Sequence, residues 1–176
     1  MICRWTTPNG VLDMNNIVLT GFMGTGKSTI GALVADLLDW QFLDTDALIV
    51  ARAGITIPEI FAQHGEAAFR ELEREVCAEV TQQREAVIAT GGGALINPDT
   101  LALMQQNGLV ICLYAAPNVI EARLAEEQNR PLAANWRELL EQRRAAYAAI
   151  SHQINTSDKS PQQLAQEVII LWQSYK

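Results

Sequence analysis

Cysteine is scarce in this chain, and its few cysteines form no recognisable pattern. The 176 residues include three, Cys3, Cys77 and Cys112. An odd number of widely spaced cysteines fits neither a disulfide framework nor a CxxC metal site. The cysteine content therefore indicates a protein of the reducing cytoplasm.

Basic residues are also in short supply. The chain has 13 Lys and Arg against 20 Asp and Glu, which gives a formal net charge of −7. Nucleic acids and anionic membranes repel such a protein at long range, so the charge argues against both as general partners. A small anionic ligand held by a few local cations is compatible with this charge.

Long hydrophobic runs are missing as well. The longest, residues 109–116, has eight residues, whereas a membrane helix needs about 20. Residues 1–13 contain Arg4 and Asp13 and lack the apolar segment of a signal peptide. Because Met14 directly precedes the first strand-like run, we expect residues 1–13 to be a disordered extension or the product of an upstream start codon. Residues 14–176 are expected to form one domain.

What the chain does contain is an alternation of short apolar runs with helical patterns. Strands are predicted at residues 16–19, 41–43, 86–89, 109–114 and 152–155. Helices are predicted at residues 27–38, 65–83, 98–107, 117–124 and 136–149, with a last one from residue 161. Asn97 and Ser160, each followed by a proline, are the predicted caps of the helices that begin at residues 98 and 161. The helix at 27–38 should bury a face made of Ile30, Leu33, Val34, Leu37 and Leu38. This order predicts an α/β fold with a parallel sheet and helices on both faces.

A phosphate-binding loop follows the first predicted strand. Residues 21–28, GFMGTGKS, fit the pattern GxxxxGK[ST] and open an amphipathic helix. Backbone N–H groups of such a loop surround phosphate oxygens, its lysine (here Lys27) reaches the β- and γ-phosphates, and its serine (Ser28) ligates Mg²⁺. The loop predicts a nucleoside triphosphate site built from Gly24, Thr25, Gly26, Lys27, Ser28 and Thr29.

Other P-loop classes lack support in the sequence. It has no NKxD motif of a regulatory GTPase and no ABC-type signature, and its length leaves no room for a motor. A small-molecule or nucleotide kinase is the class that is left.

Two carboxylates follow the second predicted strand, at Asp44 and Asp46. If strand-like alternation continues, both lie on one face at the carboxyl end of the sheet, where α/β folds bind ligands. One could hold a metal-bound water while the other orients or deprotonates an attacking hydroxyl. The alternative is that Asp46 only caps a helix beginning near Ala47.

Arginines near glycines suggest a place for an acidic acceptor. Arg70 lies beside an apolar helix stripe and next to Glu73, so it either grips a carboxylate or forms a surface ion pair. Three glycines at 91–93 let backbone approach a ligand or make a sharp turn. Residues 126–135 are polar and aperiodic, as a lid would be, and include Arg130, which could reach the γ-phosphate. Arg143 lies one turn before Tyr147, and is either functional or part of a solvated face.

Taken in order, these motifs resemble the shikimate kinase family. The resemblance runs from residue 16 to about residue 172. The shared motifs are GxxGxGKS at 21–28, DTD at 44–46, FRxxE at 69–73, GGG at 91–93, RPL at 130–132 and RxxxY at 143–147. It implies a nucleoside-monophosphate-kinase-like P-loop fold, with Mg²⁺, that transfers the γ-phosphoryl of ATP to the 3-hydroxyl of shikimate.

The resemblance also implies roles for single residues on the acceptor side. Asp46 matches the aspartate that binds the shikimate hydroxyls and prepares the nucleophile, and Asp44 the one that reaches Mg²⁺ through water. Arg70 and Arg143 match the pair that holds the shikimate carboxylate, and Gly92 the backbone contact to the ring hydroxyls.

On the nucleotide side, Arg130 matches the lid arginine at the phosphates. Arg123 matches the residue that lies against adenine, and Pro161 a proline of the adenine pocket. The sequence departs from the family at Ala145 and Ala146, where proline and leucine are frequent, and in a short lid.

The sequence therefore predicts a cytoplasmic, monomeric shikimate kinase with neither nucleic-acid nor membrane partners. One alternative is a related P-loop kinase for another hydroxy acid, such as gluconate, because two arginines do not define the ring of the acid. Another is a catalytically idle nucleotide-binding relative.

Overall fold

Five parallel strands and the helices between them make up residues 16–126 and 135–175, which are described by this computed structural model. The strands are β1 Asn16–Thr20, β2 Gln41–Asp44, β3 Ala86–Ala89, β4 Gly108–Tyr114 and β5 His152–Asn155. The helices are α1 Lys27–Leu38, α2 Thr45–Ala53, α3 Ile57–Val80, α4 Pro98–Asn107, α5 Pro117–Glu126, α6 Trp136–Ala148 and α7 Pro161–Tyr175. The expected extension at 1–13 and Arg130, with most of the expected lid, lie outside the described residues.

The strand order places the P-loop strand at the centre of the sheet. The order is β2-β3-β1-β4-β5, and every neighbouring pair is parallel. Parallel strands all end at one edge, so the segments after β1, β2 and β3 meet there. The predicted α/β class with a parallel sheet is confirmed.

Alternation along β1 divides the core into two layers. Ile17 and Leu19 pack with α1 and α7 on one face of the sheet, while Val18 packs with α2 and α3 on the other. The side chains of all three are buried. Helices on both faces therefore cover the sheet, as the sequence predicts.

The predicted burial of Leu37 on the apolar face of α1 is wrong. Ile30 and Val34 are buried against the sheet, but Leu37 is 61% exposed. In the last turn of a helix, a side chain is buried only where another element packs over it. Leu37 lies outside the part of α1 that other elements cover.

Two helix starts have the predicted caps. The Asn97 side chain accepts hydrogen bonds from the N–H groups of Asp99 and Thr100, and Pro98 is the first residue of α4. The Ser160 hydroxyl accepts from the N–H of Gln163 at the start of α7. Such caps satisfy N–H groups that have no partner within the helix.

The region between β2 and β3 contains more helix than the sequence predicts. Helix α3 begins at Ile57, after a capping box formed by Thr56 and Glu59, and its path breaks at Gly65, where φ is 80° and ψ is 173°. The predicted helix starts only at that glycine, because residues 57–64 offer a weaker apolar pattern. The break separates the first turns of α3 from the part that carries Arg70.

A third apolar cluster joins the P-loop to the helices that flank the predicted lid. Phe22 packs with Ile120 and Leu124 of α5 and with Trp136 of α6. The rings of Phe22 and Trp136 lie 6.4 Å apart. Within the described residues, no helix has the length and apolar character needed to cross a membrane.

Candidate functional site

The P-loop curls from the end of β1 into α1. Gly26 is the N-cap of α1 with φ at 92°, a left-handed conformation that favours glycine. The Thr25 hydroxyl donates to the carbonyl of Phe22 at 2.7 Å and is buried, so this side chain stabilises the loop. The loop thus presents its backbone N–H groups and the positive end of the helix to an anion.

Lys27 and Ser28, the two reactive side chains of the loop, have protein partners. The Lys27 ammonium donates to the carbonyls of Gly21 and Phe22, each at 2.9 Å. The Ser28 hydroxyl donates to a carboxylate oxygen of Asp44 at 2.7 Å. A hydroxyl and a carboxylate therefore lie side by side at the start of α1.

An open cavity of about 450 Å³ borders the P-loop. Its lining includes every described residue that the sequence predicts for the nucleotide, namely Gly24, Thr25, Gly26, Lys27, Ser28, Thr29, Arg123 and Pro161. Ile30, Lys159 and Leu164 line it as well, and sequence reasoning missed them. We call this space the P-loop cavity.

Arg123 reaches the cavity from α5 and connects it with the end of the sheet. Its guanidinium donates to the carbonyl of Gly24 at 3.1 Å and also to Thr156, which follows β5. Sequence reasoning missed Thr156, because nothing in the local pattern marks a residue beyond a strand end as a partner of an arginine 33 positions earlier.

The two aspartates do not share a face, which corrects the expectation from strand alternation. Helix α2 begins at Thr45, and Asp44 is its N-cap, accepting from the N–H groups of Asp46 and Ala47. The alternative that Asp46 caps this helix is wrong for the same reason. Asp44 is directed to Ser28, whereas Asp46 is directed to Gly91.

The glycine turn, residues 91–93, lies where β3 ends and is held by Thr45. The N–H of Gly91 donates to the Thr45 hydroxyl at 2.9 Å. A Cβ on Gly91 would lie 2.5 Å from an Asp46 carboxylate oxygen, and one on Gly93 would lie 2.8 Å from a nitrogen of Arg70. The glycines are therefore required for these two side chains to approach the backbone.

Arg70 is held against the glycine turn by a buried acid. Its Nη1 donates to Glu73 at 2.7 Å and its Nη2 to Glu66 at 3.2 Å. Glu73 is only 4% exposed. Burial raises the pKa of the Glu73 carboxyl above its ordinary value, while Arg70 opposes that rise. Asp46 and Arg143 also act on its charge, so all four groups share one electrostatic neighbourhood.

Arg143 and Tyr147 approach the same turn from α6. The Tyr147 hydroxyl donates to the carbonyl of Gly92 at 2.6 Å. A Cβ on Gly92 would lie 3.5 Å from an Arg143 nitrogen and 3.4 Å from the carbonyl of Gly21, the first P-loop residue. Gly92 thus lies between Arg143 and the P-loop. Burial raises the pKa of Tyr147 to about 12, which keeps its hydroxyl a hydrogen-bond donor.

One buried thiol adjoins this group. Cys77 lies in the core one turn after Glu73 and is 0% exposed. Burial, with the charges of Glu73 and Asp46, raises the pKa of Cys77 to about 12. The thiol is therefore protonated and takes no part in the chemistry of the site.

The structure brings the predicted residues together as two adjoining groups. Gly24 to Thr29, Arg123 and Pro161 surround the P-loop cavity, with Asp44 beside Ser28. Asp46, Arg70 and Arg143 surround the glycine turn. Two cations and a carboxylate beside backbone without side chains suit an acidic polyol, and the P-loop cavity suits a nucleoside triphosphate.

Comparison with known proteins finds the shikimate kinase family, matched over residues 23–172. A shikimate kinase from Caldanaerobacter subterraneus subsp. tengcongensis is 44% identical over 162 residues, which cover 89% of this chain and 95% of that protein. A solved structure, a shikimate kinase from Acinetobacter baumannii in complex with shikimate, has a TM-score of 0.85 at 36% identity, covering 93% of this chain and 96% of that one.

A sugar-acid kinase shares the fold. A gluconokinase from Sinorhizobium meliloti 1021 has a TM-score of 0.60 at 14% identity, covering 92% of this chain and 95% of that one. At this identity the likeness shows a common fold and no common substrate.

The buried carboxyl of Glu73 predicts a pH dependence of stability. Because its folded pKa is raised, its contribution to stability is fully present below its unfolded pKa and is lost as pH rises through the folded pKa. Glutamine stays neutral, so the unfolding free energy of Glu73→Gln should rise relative to the original protein between about pH 4 and pH 7. Urea denaturation at both pH values measures the difference.

Glu71→Gln is the matched control, because Glu71 is an exposed neighbour on the same helix. Its effect should stay within about 0.5 kcal/mol. A relative stability of Glu73→Gln that falls with rising pH would contradict the assigned direction.

Proposed function

The chain belongs to the shikimate kinase family, and we propose that its two adjoining groups of residues bind the donor and the acceptor of one phosphoryl transfer. The enzyme phosphorylates shikimate with ATP. The acceptor is the 3-hydroxyl, and the product, shikimate 3-phosphate, serves aromatic amino-acid biosynthesis. The observation that carries the assignment of sites is the position of Gly92, between the P-loop and Arg143.

The P-loop cavity holds ATP in this proposal. Backbone N–H groups of Gly24 to Ser28 surround the β-phosphate, and Thr29 lies in the same first turn of α1. Lys27 already lies beside the loop through its bonds to Gly21 and Phe22, so it exchanges a carbonyl for a phosphate oxygen when ATP binds. Arg123 and Pro161 line the cavity where the adenine lies.

Ser28 and Asp44 fit an Mg²⁺ site. Their oxygen atoms lie 2.7 Å apart, and Mg²⁺ prefers oxygen ligands, keeping several waters and phosphate oxygens in its shell. Ser28 would supply an oxygen ligand to the ion, and Asp44 would hold one of its waters. Among the described residues there is no group of three His, Cys, Asp or Glu that could hold a metal ion. Bound Mg²⁺ would neutralise charge on the phosphates.

The acceptor lies against the glycine turn. Arg70 and Arg143 hold the shikimate carboxylate, and the backbone of Gly92 contacts a ring hydroxyl. Asp46 accepts a hydrogen bond from the attacking hydroxyl and orients it toward the γ-phosphorus. Because Glu73 fixes Arg70 at 2.7 Å, this arginine is oriented before the substrate arrives.

Arg130 completes the site from the predicted lid. It would contact the γ-phosphoryl group after closure and stabilise charge that develops during transfer. Most of the rate acceleration then comes from positioning of the substrates and from electrostatic stabilisation, because phosphoryl transfer requires little covalent chemistry from the protein.

We place this enzyme in the cytoplasm as a monomer, with neither nucleic acid nor membrane among its partners. Cys77 and Cys112 are buried free thiols, which suits a reducing compartment.

Release of ADP with a panel of acceptors tests the function. We expect release with shikimate, the acceptor of this family, and little with gluconate, which has no ring, or with nucleoside monophosphates, which have no carboxylate. Quinate also has a carboxylate and hydroxyls on one ring, so its rate measures how closely the site distinguishes such acids. Release with gluconate as fast as with shikimate would favour the alternative hydroxy-acid kinase. Nucleotide binding without release would favour the idle relative.

Asp46→Asn separates catalysis from helix capping. Because Asp44 caps α2, replacement of Asp46 leaves the cap in place. A positioned proton acceptor predicts a loss of about 100-fold or more in kcat, with ADP affinity unchanged. Steady-state kinetics and calorimetry measure the two quantities. Asp99→Asn, an exposed aspartate of α4, is the control. Unchanged turnover in Asp46→Asn would remove Asp46 from the mechanism.

The arginines differ in the stage at which each acts. Arg143→Ala and Arg70→Lys should raise the KM for shikimate, and kcat/KM should fall about 10- to 150-fold for the alanine variant and less for lysine. Lysine is chosen at position 70 because alanine would leave Glu73 buried without its partner. Arg144→Ala is the matched control, since Arg144 is exposed and pairs with Glu141 on the surface of the same helix.

Arg130→Ala should lower kcat by a larger factor, while calorimetry without nucleotide finds shikimate binding close to that of the original protein. Loss of shikimate binding in Arg130→Ala, with binding intact in Arg143→Ala, would overturn this division of roles.

A further inference from the structure

Thr156 lies just past β5 and is fixed by the neighbouring strand. Its side chain is 0% exposed. Its N–H donates to the carbonyl of Tyr114, the last residue of β4, at 2.8 Å, and its hydroxyl donates to the same carbonyl at 3.3 Å. The end of the sheet therefore fixes where the Thr156 hydroxyl lies and in which direction its proton points.

The lone pairs of that hydroxyl accept from Arg123. Nη1 of Arg123 lies 3.1 Å from the Thr156 hydroxyl oxygen and 3.1 Å from the carbonyl oxygen of Gly24, and Nη2 lies 2.5 Å from the carbonyl oxygen of Thr156. A guanidinium is planar, so three bonds from its two terminal nitrogens fix its plane. Its faces, Nε–H and the second N–H of Nη2 are what it can offer to a ligand in the P-loop cavity.

We propose that Thr156 is a positioning residue for the nucleotide, acting through Arg123. Its hydroxyl transmits the position of β4 and β5 to the guanidinium. Through the bond to Gly24, the same guanidinium restrains the tip of the P-loop. This inference rests on the proposed assignment of the P-loop cavity to ATP, and it gives Thr156 no contact with the nucleotide itself.

Thr156→Val tests the role because valine keeps the shape and the backbone carbonyl and removes the hydroxyl. We expect calorimetric ADP affinity to fall about 3- to 10-fold, since one of the three bonds to Arg123 is lost. Shikimate affinity should not change. Thr81→Val is the matched control, because Thr81 is also buried, its hydroxyl donates to Ala78, and it does not line the cavity.

A double-mutant cycle with Arg123→Ala distinguishes positioning from general loss of structure. If Thr156 acts through Arg123, adding Thr156→Val to Arg123→Ala causes no further loss of ADP affinity. Fully additive losses, or an equal fall in shikimate affinity, would overturn the proposal.

Thr156→Ser and Thr156→Cys form a second pair, which also serves if the valine variant does not fold. Both lack the methyl group, and only serine keeps a hydroxyl. Serine should preserve ADP affinity and cysteine should lower it, so equal affinities would contradict the role. ADP binding needs no acceptor, so a failure of shikimate phosphorylation would leave this test valid.

Discussion

The site depends on one steric constraint, a backbone without Cβ atoms at the carboxyl end of β3. Asp46 and Arg70 both occupy space that a side chain at position 91 or 93 would need. Since Gly92 also lies against the P-loop, the turn sets how close Arg143 lies to the P-loop. A methyl group at position 91 or 93 would push a charged group out of place, whereas one at position 92 would meet Gly21 and Arg143 at ordinary contact distance.

The two halves of the site are held in place by different physics. On the side proposed for ATP, the cations donate hydrogen bonds to backbone carbonyls. Lys27 donates to the P-loop, and Arg123 donates to Gly24 and Thr156. On the side proposed for the acceptor, Arg70 donates to the buried carboxylate of Glu73, and burial opposes the ionisation of that carboxyl. The acceptor side therefore contains an ion pair that costs free energy to desolvate, whereas Lys27 and Arg123 are bonded to uncharged oxygens.

Local patterns in the sequence predicted much of the fold and the residue types of the site. The P-loop, α1 and the caps at Asn97 and Ser160 follow from signals a few residues long. The predictions were wrong where a single residue determines the local structure. Helix α2 starts at Thr45 with Asp44 as its N-cap, so the strand alternation ends before Asp46 and does not predict where the Asp46 side chain lies. The bonds from Arg123 to Thr156 and from Tyr147 to Gly92 join distant positions, which no single sequence periodicity marks.

The buried thiol of Cys77 can be used to follow movement of α3, the helix that carries Arg70. Its protonated, enclosed state means that a thiol reagent in solution reacts only after α3 moves away from the sheet. The rate at which a thiol reagent labels the Cys77 sulfur therefore measures how often α3 moves away from the sheet. In the proposed binding mode, a substrate that bridges Arg70 and Arg143 would link α3 to α6, and it should therefore slow the labelling of Cys77 without contacting the sulfur.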